Sequence, residues 1–158
     1  MLMIVLRFAH VFFGALWVGM MVFQAFFLGP AVADAGPDGG KVMGGVMRRR
    51  IPVVMPLMGL IVIISGLWMF QRLAGGNMGA FMDTPMGKAF GWGGLSAILA
   101  FLIGVFAMRP LMMRMMKLGP TGDAAELQRL RSRSGVLANI VTVLMLFALA
   151  AMAVARYL

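Results

Sequence analysis

Four uncharged apolar runs, residues 11–28, 51–70, 89–108 and 135–155, make up about half of this 158-residue chain. At 1.5 Å of rise per residue, each is long enough as a helix to cross the roughly 30 Å hydrocarbon core of a bilayer. Lipid offers the backbone no hydrogen-bond partners, so a helix is the form in which such a run satisfies its own N–H and C=O groups. The chain is 62% hydrophobic, which is more apolar surface than a soluble domain of this size can hide. These features predict an all-α integral membrane protein, one domain over residues 1–158. Its spans fall at about 8–29, 51–71, 89–109 and 135–156, packed as an up-down antiparallel four-helix bundle.

The start of the first run has the outline of a signal peptide, with Arg7 as the charged end and Ala31-Val32-Ala33 as a small-residue cleavage site. Its apolar stretch is about twice the usual length and contains Trp17 and Gln24, so retention as a membrane helix is expected. Lys and Arg then set the orientation. Ten lie in the segments after the first and third runs: Lys41, Arg48, Arg49, Arg50, Arg109, Arg114, Lys117, Arg129, Arg131 and Arg133. Four lie on the other side: Arg7, Arg72, Lys88 and Arg156. The positive-inside rule puts the ten in the cytoplasm and both termini on the outer, periplasmic side of a bacterial cytoplasmic membrane. The net charge of +9 thus points to anionic lipid at the cytoplasmic loops and not to nucleic acid.

Between the runs, turn chemistry sets the expected breaks. Leu28-Gly29-Pro30 is expected to end the first helix, and the glycine-rich stretch to Arg50 reads as a loop. Pro52 suits the first turn of the second helix, and Pro56 a kink within it. Residues 71–88 read as an external loop and 109–134 as a basic one. Within the latter, Asp123 and Glu126 resemble a capping box that opens a short interfacial helix at about 124–134, running on into the fourth span. The third helix carries a stripe of small residues, Gly93, Ala97, Ala100 and Gly104, which allows close approach of a second helix.

Few residues offer chemistry. None of the five acids lies within an apolar run, and there is no cysteine, so internal proton relays and thiol chemistry have no group to act through. His10, the sole histidine, shares a helix face with Gly14, Trp17, Met21 and Gln24. A neutral imidazole can ligate heme iron, a chlorophyll-type pigment or copper, with Gly14 leaving open space for a flat ring and Phe13 and Trp17 placed to pack against it. Equally, it can hydrogen-bond across helices. Met78, Met82 and Met86 recur every fourth position on the same side as His10 and present soft thioethers suited to Cu(I). Methionine is abundant throughout, however, at nineteen residues, and serves as flexible filler in apolar surroundings.

The stretch from Leu6 to Gly19, with His10, Trp17 and Gly19 in an H-x6-W-x-G pattern, resembles the first helix of CopD-like copper-handling membrane proteins. It is also similar to the opening helix of HemJ-type heme-dependent protoporphyrinogen oxidases. By that resemblance His10 carries the ligand role. The further histidines of the first family and the lysine-bearing helix of the second have no counterpart in this chain.

The leading expectation is a non-catalytic accessory subunit of a larger membrane complex, respiratory or photosynthetic, touching a tetrapyrrole through His10. The alternatives are a CopD-like copper-handling protein and a HemJ-like redox enzyme.

Overall fold

The computed structural model of the protein describes residues 1–119 and 122–158. Among the described residues it is helical, with no strand. Four stretches are long and apolar enough to cross a membrane: Leu2–Asp34, Ile51–Leu73, Pro85–Leu118 and Ala124–Ala155. The first and third run past the boundaries that the sequence suggests.

Helix α1 (Leu2–Phe23) does not stop at Leu28-Gly29-Pro30. It passes through a π-helical turn, Gln24–Leu28, into α2 (Gly29–Asp34). The third span repeats the device: a π turn, Gly104–Met108, precedes Arg109-Pro110. In both, the N–H before the proline reaches back five residues, from Gly29 to the Gln24 carbonyl and from Arg109 to the Gly104 carbonyl. In a regular helix the proline ring presses on the carbonyl four residues back. One extra residue in the preceding turn relieves that clash, so the helix continues instead of ending.

The glycine-rich segment is also helical, as α3 (Gly36–Arg48). Gly36, at φ +54°, makes the turn from α2, and a Cβ on Gly39 would collide with the Val32 carbonyl. These glycines let α3 fold tightly back on α2. Helix α3 presents Val42, Met43, Val46 and Met47 at helical spacing, and Met47 is buried. Arg50, at φ +62°, turns the chain into α4 (Ile51–Leu73).

The expected external loop holds a short helix, α5 (Met78–Asp83), and α6 (Pro85–Ile103) begins earlier than its apolar run. Each has a side-chain cap: Asn77 Oδ1 accepts the Ala80 N–H and Thr84 Oγ1 the Gly87 N–H, both at 3.0 Å. Such caps satisfy amide groups that a helix start leaves free. The basic loop becomes α7 (Arg109–Leu118), and α8 (Ala124–Ala155) runs unbroken from the interfacial stretch through the fourth span. Asp123 caps α8 through the Ala125 N–H at 3.0 Å. Glu126 does not complete a capping box; it pairs with Arg114 of α7.

Helix α1 packs along α4, and α6 along α8; the two pairs meet through α4–α6 and α1–α8 contacts. The core consists of Trp17, Met21, Val62, Ala100, Met108, Val141 and Met145. Trp17 meets Phe101 edge-on at 6.2 Å, and both lean on Gly59, where a Cβ would lie 2.7 Å from Phe101 and 3.0 Å from Trp17. One glycine thereby lets two aromatic rings from different helices fill the centre. In lipid, which is as apolar as the core, this close contact and not water exclusion holds the helices together.

Candidate functional site

His10 lies in the contact between α1 and α4. Its Nδ1 is 2.9 Å from the Val62 carbonyl oxygen. A carbonyl can only accept, so Nδ1 carries the proton and the neutral ring keeps its lone pair on Nε2. Ser65 Oγ stands 3.4 Å from Nδ1 and donates to the Ile61 carbonyl at 2.6 Å. The ring lies on Gly66, where a Cβ would be 2.8 Å from Cε1. Serine and glycine one residue apart thus build the seat: the hydroxyl turns back on its own helix, and the missing side chain makes space for the imidazole. Among the described residues, no buried side-chain nitrogen or oxygen lacks a hydrogen-bond partner. Nε2 has no hydrogen-bond partner among them, and the His10 side chain as a whole is partly buried.

Gly14 and Trp17 share the face of His10, as their spacing requires, but that face is covered. A Cβ on Gly14 would lie 3.9 Å from Val62 Cγ2, and Trp17 is 5% exposed within the core. The space expected there for a flat ring is taken up by α4. A tetrapyrrole cradled on Gly14 and Trp17 therefore does not fit inside this chain. What His10 offers to any such group is the Nε2 atom alone.

Met78, Met82 and Met86 are divided between two helices. Met78 and Met82 are one turn apart on α5, whereas Met86 follows the break at Thr84, on α6. The Met82 thioether packs on α6, with Sδ 3.0 Å from where a Cβ of Gly91 would stand. Phe81 beside it meets Phe70 at the end of α4 at 5.3 Å. The two aromatic rings and the thioether fasten α5 across the ends of α4 and α6. Among the described residues no group of three His, Cys, Asp or Glu side chains is placed to hold a metal ion.

The small-residue stripe of α6 divides in a similar way. Gly93 is pressed on α8, where a Cβ would lie 3.2 Å from Ala151 Cβ and 3.3 Å from the Ala148 carbonyl oxygen. Ala97 and Ala100 are buried in the same stretch. Gly104 lies in the π turn, and a Cβ there would meet nothing within 4 Å. It lines an apolar cleft at the opposite end of the bundle from His10, together with Trp17, Gln24 and Arg109. Sequence reasoning missed this cleft, although Gln24 inside an apolar run and the prolines at 30 and 110 marked its position. No family model, curated protein or solved structure matches this chain.

Proposed function

We propose that the chain is a non-catalytic subunit of a larger assembly, respiratory or photosynthetic, in the bacterial cytoplasmic membrane. The observation that carries this reading is an aromatic ridge on the outward side of α1 and its continuation. Phe8 and Phe12 stack at 5.5 Å, Phe23 and Phe27 at 6.1 Å, and all four are exposed. Stacked rings one helical turn apart form rigid ribs that suit the surface of a neighbouring transmembrane helix. The inward side of the same helix is engaged by α4 through His10 and Val62. Helix α1 then joins two bodies: its own bundle within, a partner subunit without.

The up-down arrangement belongs to this reading. Its support is the descending order of partners along α4, with His10 on Gly66, Gly14 on Val62 and Trp17 on Gly59. The ten-to-four distribution of Lys and Arg supports periplasmic termini. A tetrapyrrole in the assembly would rest against the outside of the bundle, drawing on this chain only through His10 Nε2.

The double variant Phe8→Ala/Phe12→Ala tests the ridge. Native electrophoresis of host membranes in mild detergent should give wild-type chain in a high-mass band and the variant at its own size, with thermal stability unchanged. Wild-type chain migrating alone would contradict the proposal.

A further inference from the structure

The cleft that contains Gly104 has a volume of about 110 Å³ and lies between the two π turns, the end of α3 and the start of α4. Its lining is rich in methionine, Met21, Met47, Met55, Met108 and Met112 among them, and its polar groups include Gln24 and Arg109. We propose that it holds part of one acyl chain of an anionic phospholipid, whose phosphate rests on Arg109.

Three independent observations converge on that occupant. The cleft is open at the bundle surface and its walls are almost wholly apolar, a surface that hydrocarbon covers better than water does. In a bilayer the hydrocarbon at hand is a lipid chain, and flexible methionine walls adjust to its irregular shape. Charge is concentrated at the same place. Arg48, Arg49 and Arg50 directly precede Ile51 and Pro52, which also line the cleft. Arg109 is exposed and forms no ion pair among the described residues, whereas Arg114 is engaged by Glu126. A basic pocket between membrane helices is suited to an anionic headgroup. Finally, both π turns border this one cleft, with Gln24 contributed by the first and Gly104 and Met108 by the second. π turns inside helices recur at functional sites because they displace backbone from the regular spiral.

Trp17 lines the cleft and serves as its reporter. The chain has three tryptophans, and Trp68 and Trp92 are exposed, so Trp68→Phe/Trp92→Phe leaves the Trp17 signal alone. The full chain is reconstituted in phosphatidylcholine vesicles containing equal small fractions of phosphatidylglycerol or phosphatidylcholine with brominated chains. Both leaflets carry the quencher, so orientation does not affect the reading, and assembly with other subunits is not needed. The expected result is severalfold stronger quenching by brominated phosphatidylglycerol. It should fall to the phosphatidylcholine level in Arg109→Gln and in Gly104→Leu, which fills the cleft. Arg109→Gln alters only an exposed side chain and carries the test should Gly104→Leu fail to fold.

Equal quenching by both lipids, or by neither, would overturn the proposal. So would a phosphatidylglycerol preference that survives Arg109→Gln, or quenching by a brominated free fatty acid alone.

Discussion

A methyl group added at Gly66 would stand 2.8 Å from the Cε1 atom of His10. Gly66→Ala should therefore destabilise the α1–α4 pair by about 1–3 kcal/mol, the usual cost of overpacking. His10→Ala removes one interhelical hydrogen bond, worth about 0.6–2 kcal/mol in a membrane. Together they should be less damaging than their sum, because without the ring the added methyl group has room and alanine is the better helix former. Thermal unfolding in detergent measures all three. Strict additivity would mean that the ring does not rest on Gly66. At this scale the sequence was half legible. Helical spacing put His10, Gly14 and Trp17 on one face, because the period of a helix is fixed. What covers a face depends on a helix fifty residues away, and no spacing within α1 reports that.

Among the elements, the apolar runs were readable because bilayer thickness sets their length. The breaks were misread at positions where proline and glycine had uses other than stopping a helix. Pro30 and Pro110 are carried by π turns, and Gly39 brings α3 onto the α2 backbone. Gly39→Ala should thus free α3 from α2 while leaving the four long helices packed. Hydrogen exchange should rise over residues 36–48 and stay unchanged in α6 and α8; unchanged exchange throughout would contradict the close contact. In α6 the neighbouring glycines should part company. Gly93→Leu meets Ala151 and the α8 backbone and should lower thermal stability, again by about 1–3 kcal/mol. A Cβ on Gly94 meets nothing within 4 Å, so Gly94→Leu should leave it nearly unchanged. Equal loss from both would mean that α8 lies elsewhere on α6.

For the whole molecule, an apolar exterior is the ordinary consequence of a lipid solvent, and function has to be sought where the surface departs from it. Two such places stand out: the stacked phenylalanine ridge along α1 and the cleft at the arginine-rich end. With no native cysteine, single cysteines can map the sides of the membrane. Arg72→Cys should react with an impermeant maleimide in intact cells, and Lys41→Cys only after permeabilisation; the reverse pattern would invert the topology. The most direct measurement of the subunit role is size-exclusion chromatography of natively expressed, mildly solubilised protein, with absorption spectra recorded across the peak. The account predicts elution in a complex well above the mass of the chain and its micelle, with any pigment of that complex in the same peak. Elution as a small, colourless species containing only this chain would contradict it.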